Sequence, residues 1–180
     1  MALGFLADRS RRLLGGGIEV RSAGTWARPG SPPTAEAEEA VAERGVDISE
    51  HRSTPFTPQL ATRADLVLTM TDEQREEVLA AAPEAASRTF TLKELVAVLR
   101  ALAPLAGEPS REALVARVAE ADRLRASGEG PRPADENVAD PIGMSASTYR
   151  AVAWEIEELT DALVRGLAGI TAPVPAGDEG

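Results

Sequence analysis

Residues 135–150 read DENVADPIGMSASTYR, and this stretch joins a loop to a long amphipathic helix. Pro141 fixes its own φ angle and biases Asp140 away from helical geometry. Gly143 relaxes the backbone, and Ser145 can cap the helix that follows. We therefore expect the Asp140 carboxyl on a stiff loop at a helix entrance, a suitable place for a general acid. The alternative interpretation of Asp-Pro-x-Gly is a tight turn that only leads into a helix.

Apolar residues at helical spacing predict most of the remaining chain to be helical. The clearest helix covers 145–167, where Tyr149, Val152, Ile156, Leu159, Leu163 and Leu167 form one apolar face. Leu3, Leu6, Leu13 and Leu14 form the apolar side of a first helix. The other predicted helices cover 35–44, 59–64, 72–82, 92–102 and 110–127.

Three short segments have strand patterns. Residues 18–22 alternate in polarity, Leu66-Val67-Leu68 is the continuous apolar run of a strand buried on both faces, and 89–91 form a third candidate. Strands that alternate with helices predict a three-layer α/β fold with a parallel sheet flanked by helices. Three strands are few for a chain of 180 residues, which indicates that a strand of the sheet is missing.

Length and composition predict one domain over 1–170 and a disordered tail over 171–180, which is rich in Pro, Gly and acidic residues. The net charge of −10 argues against nucleic acid and anionic membrane surfaces as partners. No apolar run approaches the roughly 18 residues that span a bilayer, and there is no signal-peptide pattern, so a cytoplasmic protein is expected. With no cysteine and one histidine, a thiolate or multi-histidine metal site is excluded, and no cofactor is expected.

Five segments together resemble the low-molecular-weight protein tyrosine phosphatases, in that family's order and at about its spacing. They are 20–26 (VRSAGTW), 45–48 (GVDI), 51–53 (HRS), 64–70 (ADLVLTM) and 140–143 (DPIG). The resemblance covers roughly 2–167 and implies a four-stranded parallel sheet flanked by helices. It also implies a cytoplasmic enzyme that hydrolyses phosphotyrosine in proteins through a phosphocysteine intermediate.

In that family a hydrophobic strand and a Cys-x5-Arg loop precede the first helix, which often opens with Met-Ala. Here Met1-Ala2 matches that Met-Ala, so the resemblance implies that the central first strand and the phosphate-binding loop are absent from the chain. The family's loop wraps a phosphate in backbone N–H groups, holds the cysteine as a thiolate and clamps the phosphoryl oxygens with arginine. Without it, we expect the chain as given to be inactive.

The resemblance makes Asp140 the general acid that protonates the leaving tyrosyl oxygen, whose conjugate acid has a pKa of about 10. It makes Trp26, Pro141 and Ile142 candidate substrate contacts, although position 142 is often aromatic in the family. Ser22 would support the missing loop. His51 and Arg52 also match the family, but we interpret them as a surface pair without a role.

The leading hypothesis is a tyrosine phosphatase whose start lies upstream of Met1. A degenerate, non-catalytic relative that acts by binding is the alternative. An arsenate reductase shares the fold, but its disulfide relay needs further cysteines that this chain lacks. Since the missing strand would leave two sheet edges and an apolar face exposed, we expect the chain alone to be marginally stable or insoluble.

Overall fold

The computed structural model describes residues 1–105 and 107–170. Seven α-helices, two strands and one 3-10 helix occur in these ranges. In chain order they are α1 (Ala2–Leu14), α2 (Ala35–Ala42), α3 (Pro58–Arg63), β1 (Val67–Thr69), α4 (Asp72–Ala81), the 3-10 helix (Pro83–Arg88), β2 (Thr89–Thr91), α5 (Leu92–Ala101), α6 (Arg111–Ser127) and α7 (Ala146–Ala168). The seven predicted helices are confirmed to within a few residues. The predicted tail over 171–180 lies outside the described residues.

The fold is α/β, with a small parallel sheet flanked by helices. β1 and β2 pair in parallel, with Leu68 opposite Phe90. Successive side chains of β1 and of Leu66, the residue before it, contribute to different cores: Leu66 and Leu68 pack with α5, α6 and α7, whereas Val67 packs with α3 and α4. This alternation, expected of a strand, separates the helices into a layer on each face.

Local sequence signals fix most helix ends. Thr34, Thr71, Thr91 and Ser145 each accept a backbone N–H with the side-chain oxygen and thereby cap α2, α4, α5 and α7. The apolar face predicted for α7 is confirmed, since Tyr149, Val152, Ile156, Leu163 and Leu167 are buried. Among the described residues, no helix is both long and apolar enough to span a membrane.

The sequence assigned no role to the region between 103 and 134. Two arginine side chains of α6, which lies in this region, hold the helix against the rest of the fold. Arg125 donates to the carbonyl oxygen of Thr89 at 2.8 Å. Its guanidinium carbon lies 3.9 Å from the ring centroid of Phe90. Arg117 is buried on the same helix and donates to the carbonyl oxygen of Gly166 at 3.2 Å. α6 is therefore held against both β2 and α7.

The strand predicted over 18–22 is wrong. These residues form no ladder, and the nearest bridge joins Gly24 to Pro55. Ile18 and Val20 are half-buried and alternate with exposed Glu19 and Arg21, as the pattern predicted. A strand, however, also needs a partner backbone about 4.8 Å away, and a large cavity lies between this segment and β1.

The prediction that β1 is buried on both faces is also wrong. Leu66, Val67 and Leu68 are only half-buried, whereas all three residues of β2 are buried. The leucine side of α1 is likewise half-buried, and the fully buried residues of that helix are Gly4, Phe5 and Ser10. The same cavity explains these differences, because Leu66–Leu68 and three of the α1 leucines (Leu3, Leu6, Leu14) line it.

Candidate functional site

A cavity of about 1090 Å³ lies beside the unpaired edge of β1. It is bounded by residues 18–25 on one side and by 64–71 on the other. Apolar side chains from both helix layers face it, among them Leu6 and Ile156 from one layer and Leu60 and Val78 from the other. β2 occupies one edge of β1, and no described strand pairs with the other edge. The cavity therefore has the lining that a strand buried on both faces requires.

The start of α1 and the loop over 135–144, which carries Asp140 and is called the acid loop below, meet at this cavity. Met1 to Gly4 line it, as do Ala139, Asp140 and Pro141. The first turn of a helix presents unpaired backbone N–H groups and the positive end of the helix dipole. An exposed carboxyl and a helix N-terminus thus face one space.

The loop that carries Asp140 has the stiff geometry predicted from its sequence. Asp140 is exposed, and its Oδ1 accepts a hydrogen bond from the backbone N–H of Ile142 at 3.0 Å. Pro141 is buried, and its carbonyl oxygen accepts from the N–H of Met144 at 2.9 Å. Gly143 has a φ of +77°, a conformation that side-chain-bearing residues rarely adopt. Two consecutive turns therefore fix the carboxyl before α7 begins.

The other predicted substrate contacts lie elsewhere. Trp26 is 91% exposed and Ile142 is 72% exposed, and neither lines the cavity. The loop that carries Trp26 is hydrogen-bonded to the segment before α3, since Gly24 and Gly30 donate backbone N–H groups to the carbonyl oxygens of Thr54 and Ser53. The structure thus brings Asp140 and Pro141 together at the cavity and leaves Trp26 and Ile142 outside it.

Two residues noted in the sequence also line the cavity. Ser22 does so next to the predicted strand, and His51 does so from the loop before α3. Burial lowers the pKa of His51 below its ordinary value of 6.5, and the positive charges of the Met1 amino group and Arg52 lower it further. His51 therefore faces the cavity as a neutral imidazole near pH 7.

Asn137, within the acid loop, and Lys93, which contacts that loop, were assigned no role from the sequence. Their hydrogen-bond partners are distant in the sequence, so no local pattern indicated them. Within 1–105 and 107–170, no group of three or more His, Cys, Asp or Glu side chains is arranged to hold a metal ion.

Sequence comparisons all match this chain to phosphatases. Residues 1–104 match the family described as low molecular weight phosphotyrosine protein phosphatase. The probable low molecular weight protein-tyrosine-phosphatase EpsP of Ralstonia solanacearum is 42% identical over 79 residues, 44% of this chain and 54% of that protein. The chain thus spans about half the length of that curated relative. A protein-arginine-phosphatase of Geobacillus stearothermophilus is 30% identical over 151 residues, 84% of this chain and 78% of that protein.

Comparisons of structure agree. The YwlE arginine phosphatase from Geobacillus stearothermophilus has a TM-score of 0.65 and 29% identity, covering 91% of this chain and 80% of that one. The low molecular weight protein tyrosine phosphatase from T. tengcongensis has a TM-score of 0.66 and 30% identity, covering 91% of this chain and 87% of that one.

Proposed function

The chain belongs to the low molecular weight phosphotyrosine protein phosphatase family, and we propose on that basis that it is the acid-bearing part of a protein phosphatase. In this proposal the nucleophile comes from a strand and Cys-x5-Arg loop outside these 180 residues, because the chain itself contains no cysteine. The strand would fill the cavity and pair with the free edge of β1. As given, the chain would bind no phosphoryl group covalently and would be inactive.

One observation carries this proposal: the free edge of β1, the start of α1 and Asp140 all border a single cavity. A strand entering parallel to β1 would end close to the start of α1. A loop there would place a phosphate at the helix N-terminus, where N–H groups and the helix dipole favour an anion. Asp140 would then lie across the same space from the nucleophile.

The reaction follows from that arrangement. The cysteine thiolate would attack phosphorus and form an S–P bond while the ester P–O bond breaks. Asp140, as a carboxylic acid, would donate its proton to the leaving oxygen, because a phenolate is a poor leaving group near pH 7. The resulting carboxylate would take a proton from the water that cleaves the S–P bond. Trp26 and Ile142, both exposed beyond the cavity, are available to contact the substrate's ring or the surrounding peptide.

A phosphoarginine substrate is the second candidate. It is favoured by the similarity to the Geobacillus stearothermophilus protein-arginine-phosphatase, which covers 84% of this chain, against 44% for EpsP. Breaking a P–N bond also requires a proton donor, since guanidine leaves as the protonated guanidinium. Asp140 would serve either reaction, and the groups around Trp26 and Ile142 would decide between them.

The test uses a polypeptide in which the upstream strand and Cys-x5-Arg loop are joined to residue 1. Asp140→Asn should lower kcat for a phosphotyrosine peptide by about 10²- to 10⁴-fold, the usual contribution of a general acid. Glu129→Gln, a change to an exposed carboxylate in the loop that follows α6, should have little effect. Equal activity of Asp140→Asn and wild type would contradict the proposed role. Parallel assays with a phosphoarginine peptide would identify the preferred substrate.

If the alternative of a non-catalytic binding protein is correct, the extended polypeptide will fold but hydrolyse neither peptide. Its affinity for a phosphopeptide would then be the same with Asp or Asn at position 140.

A further inference from the structure

The segment immediately before Asp140 is fastened to three separate elements. The backbone N–H of Val138 donates to the carbonyl oxygen of Met70, at the end of β1, at 2.8 Å. The side-chain Oδ1 of Asn137 accepts from the backbone N–H of Asp72, the first residue of α4, at 2.8 Å. The Nζ of Lys93, on α5, donates to the carbonyl oxygen of Asn137 at 2.6 Å.

The bond to Asp72 is a helix cap supplied from outside the helix. Thr71 already caps α4 by accepting from the N–H of Gln74. The N–H of Asp72 has no partner within its own helix, because the first four N–H groups of a helix lack one. Asn137 provides that partner from 65 positions further along the chain. The same bond therefore links the acid loop to the end of the sheet.

Lys93 holds the backbone carbonyl group of the same residue. Its ammonium group also contacts Glu155 of α7 at 2.8 Å and Asp135 at 3.6 Å. The Lys93 side chain is 18% exposed, whereas those of Glu155 and Asp135 are 36% and 69% exposed. Lys93 thereby ties α5, α7 and the acid loop to one charged group.

The backbone between Asn137 and the Asp140 carboxyl has little conformational freedom. Val138 is 3% exposed and packs in the core formed by α1, α2 and α7. Pro141 is buried and its φ is fixed by its ring. Only Ala139 and Asp140 lie between these two immobilised residues. The position of Asp140 relative to the cavity is therefore set where Asn137 is bound.

We propose that Asn137 and Lys93 are positioning residues for Asp140, which hold the acid at the distance from the phosphoryl site that proton transfer requires. This inference rests on the proposed role of Asp140 as a general acid. It adds two residues that do not line the cavity. Their effect would come through placement, since an error of about 1 Å in a reacting group can cost 10²-fold in rate.

The first part of the test needs no activity and is performed on the extended polypeptide, because the 180-residue chain alone is expected to be marginally stable or insoluble. Hydrogen exchange of the Val138 amide should accelerate in Asn137→Ala by on the order of 10-fold, while exchange of the Leu95 amide in the core of α5 stays unchanged. Asn137→Asp keeps an acceptor oxygen for the Asp72 N–H and should restore slow exchange. Lys93→Met should also accelerate exchange of the Val138 amide. Arg100→Ala, an exposed change on the same helix, is its control. Unchanged exchange at Val138 in both Asn137→Ala and Lys93→Met would overturn the proposal.

The second part uses the extended polypeptide and two aryl phosphates. Phenyl phosphate needs the acid far more than p-nitrophenyl phosphate, because p-nitrophenolate leaves readily without a proton. Asn137→Ala should lower kcat for phenyl phosphate on the order of 10-fold more than for p-nitrophenyl phosphate, and Asn137→Asp should recover most of the loss. An equal loss for both esters would indicate a general structural role and would overturn the proposal. An inactive wild-type extended polypeptide would contradict the proposed function instead, and the exchange result would still decide whether Asn137 fixes the loop.

Discussion

Asp140 and Ile142 close a turn in which the carboxylate Oδ1 of the first accepts the backbone N–H of the second at 3.0 Å. The side chain proposed as the acid thus stabilises the loop that carries it. Pro141 lies between the two residues and is buried, so the turn is fixed to the protein core at its centre. The turn is followed at once by Gly143, which has a positive φ.

Gly143→Ala tests whether that backbone conformation is required. A Cβ at this position would contact nothing within 4 Å, so the cost arises only from the φ of +77°. We expect Gly143→Ala to lower the free energy of unfolding by about 1 kcal/mol. Gly143→Asn should cost less, because asparagine tolerates the left-handed region. Urea unfolding measures both, and equal stability of the alanine variant and wild type would show that the loop can adopt another conformation.

Glu157 is the second residue whose replacement should have a large effect. It is 8% exposed on α7 and accepts from Arg9 Nη2 of α1 at 2.7 Å and from Nε of Arg44, just after α2. Glu157→Ala would leave two partly buried guanidinium groups without this partner and should cost about 3 kcal/mol. Glu158→Ala, an exposed change one position along the same helix, should change stability by less than about 0.5 kcal/mol. Similar melting temperatures for the two variants would contradict a stabilising role for the ion pairs.

His51 should contribute to the pH dependence of stability. Its pKa in the folded protein lies below the ordinary value of 6.5, chiefly because burial disfavours the charged form. As the pH falls below 6.5, the unfolded chain binds a proton that the folded chain resists, so stability is lost. His51→Gln cannot titrate and should lose less stability than wild type between about pH 7 and about pH 5. Parallel pH profiles from urea unfolding would show that His51 does not contribute.

The stability of the 180-residue chain tests whether an upstream strand fills the cavity. Leu66, Val67 and Leu68 are half-buried beside it, and no described strand pairs with one edge of β1. Joining an upstream strand should bury these residues and raise the free energy of unfolding by at least about 3 kcal/mol. The 180-residue chain alone should aggregate on heating. A sharp, reversible thermal transition of that chain, unchanged by the extension, would contradict the prediction.

Local signals in the sequence predicted the helices and the acid loop. They did not predict which strands pair with each other over long distances in the chain. Ser145 caps α7 and Pro141 stiffens its own loop through neighbours within a few residues, so both could be inferred from the sequence alone. The strand predicted over 18–22 has the right polarity pattern but no partner, and a ladder depends on a second backbone that the pattern does not encode.

The positioning contacts were missed for a related reason. Asn137 reads as one more turn residue in a polar loop. Its bonds to Asp72 and Lys93 join residues 65 and 44 positions apart. Only the packing of α4 and α5 around the end of the sheet brings them together. The exposure of Trp26 and Ile142 could not be predicted from the sequence either. An aromatic or branched residue is as compatible with the edge of a core as with a cleft.

In the proposed function, the cavity beside β1 receives the strand that carries the nucleophile. The most direct measurement is the rate of phosphate release from a phosphotyrosine or phosphoarginine peptide by the 180-residue chain, by the extended polypeptide, and by the extended polypeptide with its cysteine changed to serine. We expect hydrolysis by the extended polypeptide alone. Hydrolysis by the 180-residue chain, or a folded extended polypeptide that releases phosphate from neither peptide, would contradict it.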